Sequence, residues 1–436
     1  MTNILEIVTI FFNNQEMQIE NIHVIIRKEP NKHDTAIITG HVKADQYDTY
    51  VEKASSATEI SIIFKDNKNE ILNFYGIIDR IEDTTEGVDA NALFHIRVQA
   101  SSFSKLLDIK KIKKSFQDIN QLVSDELEEL LKEFDNIDFT NEAAEGKIAS
   151  KFRLIYRETA YEYIIRRASQ YNQPIICNSN SPQLRFRFGI NNYPDKGELT
   201  RYSYSVLKDL ERFREMQKNN YYENVQELDF IQFKIELRAD EEPLEISDSV
   251  TYKDIKFIIK KSITEIRDHK LYCTYYLGNI NSLKVKTVYN EQISGISILG
   301  KVIAVENNMI KLHLVIDETQ DVNTAYWFDY KAHYATEFIM PEINDFVNLY
   351  FPTHNDDAPT GLNSLKQDPK KGYMRTDEPP NYPLGAGSPI LDFVQEAHDP
   401  DTKMIVTKYG RTIALKDDSI YIILDDDKQL YKNTRR

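Results

Sequence analysis

The sequence predicts a mainly β protein: two antiparallel β-barrels separated by a helical insert, then a smaller OB-type barrel and a few short terminal strands. Three observations carry this prediction. Most of the chain consists of short runs rich in Val, Ile, Phe and Tyr that alternate apolar with polar residues and are broken by polar turns. The spacing changes to a helical one in two stretches, both between residues 115 and 171. No run approaches the roughly 20 apolar residues that a membrane helix needs.

The first barrel is assigned to residues 1–110. "IHVIIRKEPNKHDTAIITG", residues 22–40, reads as a strand, a Pro-Asn turn and a second strand. Ile60, Ile62 and Phe64 then alternate, as do Phe94, Ile96 and Val98 against Leu93, His95, Arg97 and Gln99. The helical insert covers residues 111–172. From Ser115 onward, Phe116, Ile119, Leu122, Val123, Leu127, Leu130, Leu131 and Phe134 recur at helical spacing. A second helix opens with Thr159 and has Glu162 three residues on, a capping-box pattern, and Pro174 stops it. Residues 173–292 form the second barrel, with "LRFRFGI", "QFKIELRA" and a long hairpin ending in "LYCTYYLG". Residues 293–365 hold four or five strands and suit an OB-type barrel. Residues 366–400, rich in Pro and Gly, read as a linker. In residues 401–436, Met404 and Val406, then Ile413 and Leu415, then Ile420, Ile422 and Leu424 each mark one apolar face. The strand pattern stops after Leu424, and three such strands do not enclose a core by themselves.

Composition removes several functions. Lys and Arg number 54 against 69 Asp and Glu, a formal charge of −15 that repels phosphate backbones. Residues 321–360 contain Lys331 as their only Lys or Arg against several Asp and Glu, which favours protein contacts over a nucleic-acid groove. The run "DIKKIKKS" is a local exception, read as a solvated edge or a contact salt-bridged to acidic neighbours. Arg157, Glu158, Arg166 and Arg167 read as exposed helix pairs, with pairing between protomers as the alternative. The nine histidines show no HExxH or paired metal spacing, and His95 and His313 fall inside strands. No GxSxG, P-loop or GxGxxG occurs. Acidic pairs such as Asp425 with Asp427, or Glu241 with Glu242, are expected from composition alone. Neither an enzyme nor a cofactor or metal site is expected. Cys177 and Cys273 lie far apart and fit a reducing compartment, with one disulfide left open. The N-terminus lacks a basic n-region and carries Glu6 in its apolar run, so a chain made in the cytoplasm is expected.

The densest aromatic stretch is "AYWFDYKAHYATEFIMPEINDFVNLYFP", residues 325–352. With the acidic loop after it, this run resembles the OB-barrel signature of the VgrG, phage-spike and baseplate-hub (gp27–gp5-like) family of contractile injection systems. In that family a Trp-aromatic segment leads into a Pro-Glu-x-x-Asp turn, here Pro341, Glu342 and Asp345, with Asn344 where Gly is usual. "VQASSFSKLLDIKKIKKSFQD", "FRLIYRETAYEYIIRRASQYNQPIIC" and "EPLEISDSVTYKDIKFIIKKSITEIRDHKLYCTYYLG" are similar to other segments of the family, in its order. "TKYGRTIALKDDSIYIIL" resembles the start of its β-helical needle. The resemblance implies an intertwined homotrimer, a structural spike-hub that nucleates the inner tube and pierces the target envelope. The implied partners are the inner tube protein, baseplate components, a small PAAR-like tip protein and, transiently, the target membrane, but no nucleic acid. Trp327, Phe328, Tyr330, Pro341, Glu342, Asp345 and Tyr350 become the signature and interface set. Ile413, Leu415, Ile420 and Ile422 become the docking site for the tip. The implied place of work is the baseplate of a tail-like particle, after synthesis in the cytoplasm. The alternatives are a spike with hidden cell-wall hydrolase activity and an OB-fold nucleic-acid-binding protein.

Overall fold

The structure is a computed structural model that describes residues 6–66, 69–86, 93–199, 203–219, 226–238, 243–252, 255–267, 270–331, 340–357, 359–365, 403–406, 412–415, 419–423 and 431–434. The chain divides into two compact units, Met1–Ser364 and Leu365–Arg436. The first unit opens with β1 (Glu6–Phe12), β2 (Gln15–Glu16), β3 (Glu20–Lys28), β4 (Thr35–Val42), β5 (Glu59–Asp66), β6 (Asn69–Glu86) and β7 (Leu93–Ser102), with helix α1 (Ala44–Lys53) after β4. Strand alternation decides which side is buried. Ala36, Ile38 and Val42 of β4, Ile60, Ile62 and Phe64 of β5, and Ile96 and Val98 of β7 all turn into one core.

The insert and the stretch directly after it contain β8 (Lys111–Phe116), α2 (Val123–Leu131), β9 (Ile137–Asn141), β10 (Arg153–Thr159), α3 (Ala160–Ser169), β11 (Ile175–Asn178) and β12 (Leu184–Phe188). The sequence places the first helix from Phe116 onward, whereas Phe116 ends a strand and the helix starts at Val123. Phe116 nevertheless fills the same core as Val123, Leu127, Leu130 and Leu131, so apolar spacing alone does not separate strand end from helix. The Asp118 carboxylate accepts from the Asn120 N–H at 2.9 Å and turns the chain between them. For α3 the local signal suffices. Thr159 Oγ1 accepts from Glu162 N–H at 3.1 Å, and Glu162 Oε2 accepts from Thr159 N–H at 2.8 Å.

Next come β13 (Asp195–Glu198), β14 (Ser203–Lys208), α4 (Leu210–Lys218), β15 (Ile231–Arg238), β16 (Ser249–Tyr252), β17 (Ile255–Arg267) and β18 (Lys270–Gly278). The strands that the sequence divides between two barrels lie in a single sheet of 13. Its order is β14-β15-β18-β17-β3-β4-β7-β6-β5-β1-β2, with β16 beside β17 and β13 beside β16. The two sets meet where β3 pairs with β17, from Lys28 opposite Ser262 to Val24 opposite Ile266. One hydrophobic core runs beneath both.

A closed barrel follows, formed by β19 (Ser297–Glu306), β20 (Met309–Leu314), β21 (Trp327–Lys331), β22 (Phe346–Tyr350) and β23 (Thr360–Leu365) in the order β19-β20-β21-β23-β22. Its core is not self-contained. Phe152, just before β10, and Leu154, within it, are buried there with Val302, Leu312, Phe328 and Phe351. Cutting Phe152 back to Ala is the kind of change that costs about 3–5 kcal/mol in a packed core.

The second unit is a four-stranded antiparallel sheet of β24 (Lys403–Val406), β25 (Thr412–Leu415), β26 (Ser419–Ile423) and β27 (Tyr431–Thr434). It corrects the sequence in two ways. The chain returns after Leu424 and adds β27 against β26, with Tyr431 opposite Ile422 and Thr434 opposite Ser419. Backbone pairing needs no apolar alternation, which is why "YKNT" gives no signal. Met404 and Val406 oppose Ala414 and Thr412, while Ile405 opposes Ile413. The register therefore assigns Ile405, rather than Met404 and Val406, to the face of Ile413 and Leu415. Leu424, the linker 366–400 and residues 332–339 lie outside the described residues.

Candidate functional site

The aromatic stretch divides by strand alternation. Phe328 and Tyr330 of β21 point into the barrel, while Trp327 is half-buried on the outside. Phe152 meets Phe328 edge-on with ring centres 5.1 Å apart, and Tyr326 packs 5.0 Å from Phe328. Trp327 receives the Lys311 ammonium 4.9 Å from its ring centre, and that ammonium also donates to the Val322 carbonyl at 2.7 Å. Tyr350 is half-buried on β22. Two of the signature aromatics are thus core side chains, and two present part of their surface.

The turn before β22 is built as its residues require. Pro341 is buried and Glu342 exposed. Asn344 has φ of 81°, a left-handed conformation that Asn tolerates better than most residues. Asp345 accepts from Glu342 N–H at 2.8 Å through its carboxylate and returns its own N–H to the Glu342 carbonyl at 3.0 Å. The turn is bolted to β19, because Val302 N–H donates to Asp345 O and Asn344 N–H to Val302 O.

In the terminal sheet, Ile413 and Ile420 are 42% and 46% exposed, and Ile422 is half-buried. The register opposes Ile413 to Ile422 and Leu415 to Ile420, so these four positions belong to one face.

Ion pairs that the sequence leaves on the surface are buried. Arg166 bonds Glu158 at 2.7 Å and Asp356 at 3.0 Å, and Arg167 bonds Glu126 at 3.0 Å. All of these partners belong to the same chain. Helix α3 is packed on most of its circumference, so its polar stripe meets neighbouring elements rather than water. Burial works against the Arg166 charge, but Asp356 and Glu158 outweigh it and hold the guanidinium charged. The pair with Asp356 ties the insert to the loop before β23.

A second polar junction joins the 13-stranded sheet to the insert. The Lys28 ammonium donates to Asn180 Oδ1 at 2.7 Å and to Glu245 at 2.8 Å. Burial works to lower its pKa, but Glu245 and Asp34 outweigh this and raise it. Asp34 accepts from Ser179 N–H and Oγ–H at 3.1 and 2.9 Å. Burial pushes its pKa up to about 7 against the pull of Lys28.

Sequence reasoning missed a Ser–His–Asp grouping beside this junction, because its members come from separate segments without a motif. His33 Nδ1 lies 2.8 Å from Ser104 Oγ, and His33 Nε2 lies 3.5 Å from Asp108 Oδ2, too far for a hydrogen bond. Ser104 is 1% exposed, which keeps substrate away. Burial holds His33 below its ordinary pKa, which keeps its ring neutral, and pushes the neighbouring Cys177 thiol up to about 12, so Cys177 is not primed as a nucleophile. Cys177 and Cys273 are both free and buried. The grouping reads as a packed polar contact between the β3–β4 loop and the insert.

No family model matches the sequence, and no curated protein matches it. Solved structures do. The Escherichia coli c3393 protein, a type VI secretion component described as similar to the T4 bacteriophage tail proteins gp27 and gp5, matches at a TM-score of 0.57 and 10% identity, over 82% of this chain and 99% of that one. A chain of the half-lidded Francisella PdpA-VgrG complex matches at 0.58 and 10% identity, over 100% and 89%. A chain of the lidless PdpA-VgrG complex matches at 0.57 and 10% identity, over 99% of both. With its large antiparallel sheet, packed insert, closed five-stranded barrel and terminal strands, the chain has the VgrG and phage-spike fold.

Proposed function

We propose that this chain is the structural spike-hub of a contractile injection machine, working as a homotrimer and without catalysis. In this reading the domains are the two hub barrels (1–110 and 173–292), the insert (111–172), an OB-type barrel (293–365), a linker (366–400) and a spike tip (401–436). The hub binds the inner tube protein and baseplate components. Trp327 and Tyr350 face protomer contacts, and a small tip protein docks on Ile413, Leu415, Ile420 and Ile422. The needle meets the target membrane transiently.

The observation that carries the reading is the end of the large sheet. β14 is its terminal strand, all six of its residues are exposed, and Val206 and Leu207 stand at 52% and 57% exposure. A long apolar edge strand is an unstable surface for a monomer and a template for another chain. The opposite end of the sheet, at β2, offers a different edge. Joining unlike edges head to tail gives a closed ring when the rotation between copies closes, and the proposed trimer is a ring of three. Light scattering should give about three times the 50.9 kDa chain mass. Val206→Lys with Leu207→Lys should yield folded monomers. A monodisperse wild-type monomer at micromolar concentration would overturn the proposal.

A further inference from the structure

The junction of Lys28, Asn180 and Glu245 brings together the groups of an amide-forming reaction. Lys28 ends β3, Asn180 follows β11 and Glu245 precedes β16, so three distant segments supply one residue each. Lys28 is only 5% exposed. Its ammonium donates to Asn180 Oδ1 at 2.7 Å and to the two Glu245 oxygens at 2.8 and 2.9 Å. The side-chain N–H of Asn180 donates to Glu245 Oε1 at 3.1 Å. Each member touches the other two.

Bonds outside the cluster hold it in place. Asp34 accepts from Ser179 N–H and Oγ–H and so fixes the residue before Asn180. Ser179 O accepts from Tyr75 N–H at 2.7 Å, and Asn180 N–H donates to Asn178 Oδ1 at 2.8 Å. On the other side, Glu245 N–H donates to Asp248 Oδ2 at 2.8 Å, and Asp248 meets Lys196 at 3.8 Å. Asn180 Cγ is one carbonyl bond, about 1.2 Å, from Oδ1, so it stands within about 4 Å of Lys28 Nζ. A small shift brings the two to the roughly 3–3.5 Å of a near-attack geometry.

We propose that Lys28 and Asn180 join in an intramolecular isopeptide bond, with Glu245 moving the protons. Against burial, Glu245 and Asp34 hold the resting Lys28 charged, so a proton transfer inside the pair makes the nucleophile. The Lys28 proton passes to Glu245 along the 2.8 Å hydrogen bond. The lone pair of Nζ then attacks Asn180 Cγ, and the π pair of the carbonyl moves to Oδ1. Glu245 gives its proton to Nδ2, which leaves as ammonia while the carbonyl re-forms. The carboxylate takes the surplus proton from Nζ and hands it to the departing ammonia, which reaches water as ammonium. One C–N bond forms, one breaks, and nothing is oxidised or reduced.

Glu245 suits this shuttle because it already touches both the nitrogen that attacks and the nitrogen that leaves. The reaction also removes a cation from the interior, where charge is costly. The Glu245 side chain is 35% exposed, which gives ammonia a way out. The bond joins residues 152 apart and ties the large sheet covalently to the segment after β11. It stands independently of the hub reading.

The test weighs the full chain, denatured after folding, by intact-mass spectrometry. Wild type should be lighter than its sequence by one ammonia. A tryptic digest should contain residues 28–32 joined to residues 168–185 through Lys28 and Asn180. Lys28→Arg and Asn180→Ala should each have the full sequence mass. Glu245→Gln keeps both reacting side chains and a hydrogen-bonding amide but moves no protons. In chains sampled at intervals after synthesis, it should slow formation of the joined peptide about a hundredfold or more. A wild-type chain of full mass overturns the proposal without recourse to any variant, so a variant that fails to fold leaves the test intact. Ammonia loss with no peptide joining the two segments would mark a succinimide elsewhere and also overturns it. Joining at the wild-type rate in Glu245→Gln overturns the proton shuttle.

Discussion

Single residues here act mainly through burial. Arg166, Arg167, Glu126 and Asp356 are almost fully buried, so removing one partner strands the other, a change that costs about 3–5 kcal/mol in comparable buried pairs. Asp34 makes the clearest pH prediction. Its folded pKa of about 7 lies above the unfolded value of about 3.9. Between those values the folded chain keeps a proton that the unfolded chain has released, so Asp34's contribution to stability falls as pH rises toward 7 and levels off above it. Glu245 is held below its usual range, with burial opposed and outweighed by Lys28, so its contribution is lost only as pH falls through the carboxylate range. Asp34→Asn mimics the protonated acid and removes the Asp34 slope. The melting temperature of the variant minus that of wild type should rise by about 2–4 °C from pH 5 to pH 8. A flat difference would mean that Asp34 does not titrate in that window.

Among the elements, the turn at residues 340–345 is the most local and the most testable. Pro341 restricts the unfolded chain, so Pro341→Gly should destabilise the barrel by about 1 kcal/mol. Asn344 already occupies the left-handed region that glycine prefers, so Asn344→Gly should be neutral or stabilising and Asn344→Ala should cost about 1 kcal/mol. Opposite signs for the two substitutions at one position, read in chemical denaturation, would distinguish backbone strain from side-chain loss. Equal losses would show that the Asn side chain, rather than φ, matters.

For the whole molecule, the division into Met1–Ser364 and Leu365–Arg436 separates the barrels from the terminal sheet. β27 covers the edge of β26, and the sheet face carrying Ile413 and Ile420 is the surface proposed for the tip protein. Ile413→Asp with Ile420→Asp should abolish co-purification of the tip protein proposed above. Deletion of residues 417–436 should do the same, and both variants should keep the melting transition of the first unit. Retention of the tip by both variants would place its docking surface elsewhere.

What the sequence by itself determined is whatever rests on interactions within a few residues. Period-2 burial in β4, β5 and β7, the Thr159–Glu162 capping box and the Pro341–Asp345 turn were legible because each bond closes within one turn of chain. Phe328 and Tyr330 were legible as strand residues, but not as partners of Phe152, which is 176 residues earlier in the chain than Phe328. Tertiary structure alone decided that two sets of strands share one sheet through β3 and β17. It likewise decided that Arg166 and Arg167 are buried, that β27 closes the terminal sheet, and that Lys28 meets Asn180 and Glu245. The physical reason is common to all four. Hydrogen-bonding and ionic groups are the same in every strand and helix, and which of them meet depends on what the packed apolar cores bring within 3 to 4 Å, roughly hydrogen-bond and ion-pair range.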